Sequence, residues 1–316
     1  MTAASVRGGS AGSENPRASI VIPHLNQPGA LVTCLAALAQ QDVGDGQIEI
    51  IVVDNGSREP LDDIAAQFPG VRFLAEAQPG PGLARNRGIA AARGDIMLFI
   101  DADCRPHAHW IASTLAAFAG TNPAQICGGD VQIDVRNPAR LTALEAYESI
   151  FAFRQSLYIA RDGFSGTGNL AARRKVFDVV GPFGGIGIAE DRDWGQRAKA
   201  CGYETHYRPD MIVYHPARAS FAELTQKWRR HVAHDLAQFR QKRNWRLRWV
   251  VLALLTLVSI APHIVKILVS PRLSGLGNRL RAIGVLIRIR LFRFAEMYRQ
   301  VTAIAGTQGA GDWRRS

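Results

Sequence analysis

The 316-residue sequence predicts an α/β fold: a mostly parallel sheet with helices on both faces, followed by a basic, hydrophobic helical tail. Three observations predict it. Strand-like apolar runs alternate with helix-period runs through the first 120 residues, the pattern of repeated β-α units. Two of the strands, IEIIVVD (48–54) and IMLFI (96–100), are continuously apolar rather than alternating, as in strands covered on both faces. Charge is also segregated. Residues 1–221 hold 20 Lys+Arg and 23 Asp+Glu, whereas residues 222–300 hold 16 and 3, so the net charge of +11 belongs to the tail. A basic tail of this kind suits nucleic acid or an anionic membrane surface.

In chain order, SIVIP (19–23) is a β-branched strand and residues 29–40 carry apolar residues at helical spacing. After the 48–54 strand, residues 60–68 read as a short helix and VRFLA (71–75) as a third strand. GLARNRGIAAA (82–92) reads as a helix opened by a Pro/Gly turn, IMLFI as the fourth strand and 107–118 as the next helix. Beyond it the spacing predicts a strand at 126–135, one helix over 138–160, a loop GFSGTGN at 163–169, and a short helix at 190–201 ending at Gly202. Two short strands follow near 203–207 and 211–214, then a basic helix over 220–243. Residues 1–17, rich in Gly and Ser with no apolar core, read as a disordered lead-in rather than a signal peptide. The expected layout is a folded domain at 18–218, a helical membrane-associating region at 219–300, and a flexible end at 301–316. The four cysteines, Cys34, Cys104, Cys127 and Cys201, form no CxxC pair, which suggests reduced thiols in the cytosol.

In a parallel sheet, ligands bind beyond the carboxyl ends of the strands. Three strand ends carry polar clusters: Pro23-His24-Leu25-Asn26, Asp54-Asn55-Gly56-Ser57, and Asp101-Ala102-Asp103. A lone Asp in such a place is ordinarily a turn former, but paired carboxylates repel unless something positive lies between them. The spacing leaves two readings open: charges that face water, or a hard divalent cation held by carboxylate oxygens. The turn Gln78-Pro79-Gly80-Pro81-Gly82-Leu83-Ala84-Arg85 carries G-x-G, but Arg85 stands where a dinucleotide motif needs its third glycine. Arg85 and Asn86, in the first turn of a helix, are candidates for a phosphate contact. Glu190, Asp191 and Asp193 follow a glycine-rich loop; they either complement the helix dipole or supply a general base. His215 becomes functional only if it reaches the rim that carries Asp103.

The tail contains WVVLALLTLVSIAPHIVKILVS (249–270), flanked by Arg246, Arg248 and Arg272. Spanning a bilayer takes about 20 predominantly apolar residues, so this run crosses one only if Pro262, His263 and Lys266 are tolerated within it. RLRAIGVLIRIRLFRF (279–294) mixes Arg into apolar sequence every few positions, which suits a headgroup layer better than a span.

Taken in order, these residues resemble glycosyltransferase family 2, of the GT-A Rossmann-like fold. The resemblance runs over 18–216: Pro23-x-x-Asn26, IIVVDNGS, GLARNRGIAAARGDIMLFIDADC, GTGNLAARRKVF, Glu190-Asp191 with Trp194 and Arg197, and His215. It implies a nucleotide-sugar donor and a divalent cation, Mg2+ or Mn2+. By position, Pro23 and Asn26 border the nucleotide, Asp54 contacts base or ribose, and Asn55 and Arg85 belong to the same donor site. Asp101 and Asp103 form the DxD pair, with Asp103 the direct metal ligand and His215 a further metal or diphosphate ligand. Asp191, next to Glu190, is the base, and Gly168, Asn169 and Trp194 lie on the acceptor side. Leu25 departs from the aromatic that often precedes the Asn, which removes an expected stacking contact. One base with no second nucleophile implies inversion at the anomeric carbon. The tail then implies attachment at the cytoplasmic side of the cell membrane, by one membrane helix or peripherally, near a glycan or lipid-linked acceptor.

Alternative readings fit less well. A sugar nucleotidyltransferase should carry a Gly-rich basic loop after its first strand, and PHLNQPG has none. Nucleic acid is not the expected partner, because the tail's cations are interleaved with Leu, Ile, Val and Trp. A non-catalytic nucleotide-sugar-binding scaffold has no need of Asp101, Asp103, Asp191 and His215 together.

Overall fold

The structure, a computed structural model, describes residues 15–41, 43 and 47–302. The expected lead-in up to residue 14 and the end from residue 303 lie outside the described residues. The chain divides into two compact units, 1–132 with 153–215, and 133–152 with 216–316.

The first unit begins with β1 (Ala18–His24), α1 (Pro28–Ala39), β2 (Ile48–Asp54), α2 (Asp62–Gln67), β3 (Val71–Ala75), α3 (Pro81–Ala91) and β4 (Ile96–Ile100). These four strands pair in parallel, with β1 between β2 and β4. Their apolar side chains point alternately to opposite faces, so two cores form. Ile20, Ile22, Val52, Leu98 and Ile100 pack with α1 on one side, and Val21, Ile51, Val53, Met97 and Phe99 on the other.

The remaining strands are antiparallel where their pairing is defined. β5 (Arg105–Pro106) follows the double aspartate at once, and α4 (Trp110–Ala117) leads to β6 (Ile126–Asp134). The expected helix over 138–160 is two helices, α5 (Ala143–Phe151) and α6 (Gln155–Asp162), because Phe153 takes φ 47 in the left-handed region and ends the helical path. β7 (Asn169–Arg173) and α7 (Arg174–Val180) come next; neither was expected from the sequence. α8 (Glu190–Ala200) and β8 (Thr205–Pro216) complete the unit, β8 replacing the two short strands expected there. The eight-stranded order is β3-β2-β1-β4-β7-β6-β8-β5. The parallel character is therefore confined to β1–β4, and the sheet as a whole is mixed.

Antiparallel β7 decides where the site forms. Its first residue, Asn169, is paired with Ile100, the last of β4, so the loop before β7 meets the loop after β4. In the same way Arg105 of β5 pairs with Tyr214 of β8, which brings His215 back beside the double aspartate.

The second unit holds α5, α9 (Phe221–Phe239), α10 (Trp245–Val258), α11 (Ile260–Val269) and α12 (Leu276–Thr302). α5 opens with a capping box: Glu145 N–H donates to Thr142 Oγ1 at 3.2 Å and Thr142 N–H to Glu145 Oε2 at 2.7 Å. Its Ala146, Tyr147 and Ile150 share a core with Leu224 of α9, Ile267 of α11 and Ala282, Val285, Leu286 and Ile289 of α12. The sequence places residues 133–152 in the first domain; the fold gives them to the second unit. Trp245–Val269 is long and apolar enough to cross a membrane, and 17% of its apolar window is buried. Pro262 supplies no N–H for the carbonyl of Val258, and the helix is interrupted one residue later, at Ser259.

Candidate active site

The ends of β1 and β2 are tied to each other. His24 Nε2 accepts from Gln27 N–H at 3.2 Å, so the ring proton lies on Nδ1, 3.1 Å from Asp54 Oδ1. Ser57 Oγ donates to the same carboxylate oxygen at 2.5 Å and accepts from Asn26 N–H at 2.9 Å. Asn26 sits at φ 54, and its Oδ1 accepts from Arg58 N–H at 2.9 Å. Burial alone would raise the Asp54 carboxyl, but hydrogen bonds from Ser57 and His24 outweigh it and hold the group below its usual range. Pro23 is half-buried beside Val53 in the parallel ladder. His24 and Ser57, which the motif alone does not mark, are what orient Asn26 and Asp54.

Asn55 is placed differently from its expected donor role. It is buried, its Nδ2 donates to Glu76 O at 3.0 Å and Gln78 O at 2.7 Å, and its Oδ1 accepts from Gly80 N–H at 2.7 Å. All of these bonds shape the turn leading into α3. Asn86 likewise serves the protein, because it exchanges two 2.9 Å hydrogen bonds with the backbone of Phe183 and pins the 181–189 loop. Where those segments meet, a Cβ on Gly82 would lie 2.3 Å from Gly184 O, so no larger residue fits there.

Arg85 is the hub of the site. Its side chain is 4% exposed, and it donates to Asp101 Oδ1 at 2.7 Å and Glu190 Oε1 at 3.1 Å. One guanidinium thus joins the double-aspartate turn to the start of α8. Asp191 stands close by. Burial raises its carboxyl, and neighbouring Glu190 raises it further, against a partial offset from Arg85. Arg192 N–H donates to its Oδ1 at 2.7 Å, and its Oδ2 would be 3.6 Å from a Cβ on Gly166. That loop is clamped by Gln155, whose amide accepts from Gly166 N–H at 3.0 Å and donates to Gly166 O at 3.2 Å. Asp193, the third acidic residue, pairs with Arg197, which also caps the carbonyls of Val180 and Pro182.

On the other side of Asp101, Asp103 Oδ2 lies 3.5 Å from His215 Nε2, and the His215 ring lies tilted against Phe153 at 4.5 Å between ring centroids. Burial raises the Asp103 carboxyl, with His215 opposing and Asp101 adding to the shift. Asp103, Cys104 and His215 offer ligand atoms within 4.8 Å of one another. Burial pushes the Cys104 thiol well above its usual range, so its sulfur stays protonated and is a poor partner for a hard cation. Asp103 and His215 remain, with Asp101 two positions before Asp103 on the same turn, oxygen and nitrogen donors of the kind such an ion takes. Gly168 lies against this group: a Cβ there would come within 2.8 Å of Asp101 Oδ2.

Two expected acceptor-side residues lie in the interior. Asn169 is fully buried, donates to Asp130 O and Met211 O at 2.8 Å each, and accepts from Trp110 Nε1 at 2.9 Å. Trp194 stacks on Phe177 at 4.7 Å and donates its indole N–H to Gly181 O at 3.1 Å. Both are positioned to hold β7 and α8 rather than to touch a ligand.

The chain matches the family model described as Glycosyl transferase family 2 over residues 19–181, about half its length. It is 34% identical over 218 residues to glycosyltransferase AglE of Haloferax volcanii, covering 67% of this chain and 70% of that protein. A PGL/p-HBAD biosynthesis glycosyltransferase of Mycobacterium tuberculosis is 36% identical over 122 residues, 37% of this chain and 47% of the relative. Among solved structures, mannosyltransferase PcManGT from Pyrobaculum calidifontis, in complex with GDP-Man and Mn2+, superposes with a TM-score of 0.58 at 17% identity. That alignment covers 92% of this chain and 88% of the other. At such identity the likeness establishes the fold alone, and it is the GT-A fold expected from the sequence. The chain belongs to glycosyl transferase family 2 and is a glycosyltransferase that draws on a nucleotide-sugar donor.

Proposed function

We propose that the protein transfers a sugar, with inversion, from a nucleotide-diphospho-sugar to an acceptor hydroxyl. The observation that carries this reading is the Arg85 bridge, because it fixes Asp101 and Glu190, and with Glu190 its neighbour Asp191, around one space. Asp191 is the base: burial and the neighbouring Glu190 raise its carboxyl, making it more basic than an exposed aspartate, as proton abstraction from a hydroxyl requires. Glu190, held by Arg85, keeps Asp191 aimed at the 163–168 loop. Pro23, Asn26 and Asp54 border the nucleotide at the β1–β2 end, and Gly168 leaves room beside Asp101 for the donor.

Asp101, Asp103 and His215 would hold a divalent cation, Mn2+ or Mg2+. Two carboxylates and an imidazole fit either ion, and PcManGT was solved with Mn2+ and GDP-Man. When bound, such an ion offsets the negative charge that builds on a leaving diphosphate. A single base at Asp191 makes the transfer one displacement, with inversion.

The acceptor is a lipid-linked or cell-surface glycan precursor, and the protein works attached to the cytoplasmic face of the cell membrane. This part of the reading rests on the apolar Trp245–Val269 segment and the basic 222–300 region. The test is a screen of nucleotide-sugars for cation-dependent donor hydrolysis and for transfer to extracted lipid acceptors. Hydrolysis of at least one donor, abolished by chelation and restored by Mn2+ or Mg2+, is the expected outcome. No binding or turnover of any donor with metal present refutes it.

A further inference from the structure

We propose that the second unit is an in-plane platform on an anionic lipid surface: α10, α11 and α12 lie along the headgroup–acyl boundary, and none of them crosses it. This rests on the membrane attachment proposed above and decides its form.

α12 runs antiparallel beside α10 and α11. At one end Trp249 Nε1 donates to Met297 O at 3.1 Å, and Thr256 Oγ1 lies 3.9 Å from Met297 Sδ. At the other, Arg279 donates to Ile267 O at 3.2 Å, Leu273 O at 3.1 Å and Ser270 O at 3.4 Å. Arg281, Arg288, Arg290 and Arg293 lie between these two anchor points on α12. Any path that carried Trp245–Val269 through hydrocarbon would carry these four cations with it, and intramembrane arginines are heavily disfavoured. Lying flat avoids this: Arg288 and Arg293, seated over the Phe221 and Trp228 rings of α9 at 4.2 and 3.7 Å, stay out of hydrocarbon, and an arginine at the edge of an apolar stripe reaches lipid phosphate.

The exposed surfaces fit that posture. Leu247, Val251, Leu254 and Val258 line one face of α10; Val265, Leu268 and Val269 are exposed on α11. On α12, Leu276, Leu280, Ile287 and Leu291 recur at helical spacing on a single exposed stripe. By the same spacing Arg281 and Arg288 flank the stripe on one edge and Arg290 on the other. Apolar patches of this extent mark a partner surface. The partner is lipid rather than a second copy of the chain, because 16 basic residues against 3 acidic ones in 222–300 repel their own kind and attract anionic headgroups.

The test uses the full chain with phosphatidylcholine–phosphatidylglycerol vesicles and with phosphatidylcholine alone. Wild type should float with the anionic vesicles, and the pair Leu254→Glu with Leu291→Glu should weaken binding by about tenfold or more while the thermal midpoint is kept. For depth, Val258→Cys and Leu291→Cys are labelled in a Cys201→Ser background, since Cys34, Cys104 and Cys127 are buried. Both labels should be quenched best by lipids carrying a shallow quencher. Deepest quenching of the Val258 site at the bilayer centre overturns the platform in favour of a span. Absence of wild-type binding, or a dimer in solution that the double Glu variant dissolves, overturns it in favour of another occupant. Donor hydrolysis on the same samples separates the outcomes: intact turnover without vesicle binding refutes the platform alone, and vesicle binding without turnover refutes the enzymatic reading.

Discussion

Replacing Arg85 with Met removes the cation between two carboxylates while keeping most of the buried aliphatic stem. Two hydrogen bonds to charged groups are lost, at 2.7 and 3.1 Å. Each such bond contributes about 1.5–3 kcal/mol, and stripping one partner from a buried ion pair costs about 3–5 kcal/mol. Water recovers part of this, because the Asp101 and Glu190 side chains are 35% and 22% exposed. The expected net loss is about 2–4 kcal/mol, or roughly 4–16 °C in thermal midpoint for a unit of this size. Arg85 also holds the Asp191 carboxyl down, so its removal lets that group rise further. The acid limb of kcat/KM for donor turnover should therefore move to higher pH. Arg85→Lys should restore little, since an ammonium does not fork to two carboxylates. Thermal denaturation together with a pH–rate profile reads both effects. If Arg85 is instead only a phosphate contact, stability changes by about 0–1 kcal/mol, as for an exposed ion pair, and only the donor KM responds. That result, with an unmoved acid limb, refutes the bridge.

Asp191→Asn should lose turnover by about 10²–10⁴ while keeping donor binding, measured by nucleotide titration beside kinetics. The same change should stabilise the fold at neutral pH. A carboxyl raised by folding is disfavoured when ionised, so wild type pays this penalty above the raised value and is relieved of it below its ordinary range. Asp54→Asn should do the opposite, with a loss of about 1–2 kcal/mol at neutral pH. Its carboxyl is lowered in the fold, so its contribution is present above the ordinary aspartate range and fades as pH falls through the lowered value. Urea denaturation at neutral pH and near pH 3 checks the convergence of the two proteins. Asn169→Leu should strand the Trp110 indole N–H and two carbonyls, at about 1–3 kcal/mol each, and soluble yield should collapse.

The parallel half of the sheet was legible because its strands are apolar runs bounded by Pro, Gly and Asp, and strand ends on one rim follow from parallel pairing alone. The antiparallel half was not. β7 reads NLAAR, with no β-branched residue and a helix-like continuation into ARRKVF, and its extended form comes from pairing between β4 and β6. β5 is two residues long, too short for any periodicity. The break at Phe153 carries neither Gly nor Pro, so nothing local announces it. Within the site, strand-end spacing and chain order single out Asp101, Asp103, Glu190, Asp191 and His215, and the fold joins Asp101 to Glu190 through Arg85 and sets Asp103 beside His215. The duties of Asn55, Asn86, Asn169 and Trp194 were not, because an amide or indole that holds backbone looks the same in sequence as one that faces a ligand. Arg85 reads in the sequence as a candidate phosphate contact; its two acidic partners were not legible, because they lie 16 and 105 positions away along the chain.

The chain passes between its two compact units three times, after residues 132, 152 and 215. Dissection at the boundary suggested by sequence, near 218, therefore does not release an intact piece. It leaves α5 behind without α12, baring Ala146, Tyr147 and Ile150, and it strips Leu141 N–H of its 3.1 Å bond to Asn278 Oδ1. A stop codon there yields a fragment prone to aggregate, whatever the state of its sheet. In grafting experiments the exchangeable module is discontinuous: a swapped C-terminal region must bring its own version of 133–152, or the new helices arrive with no partner for their inner face.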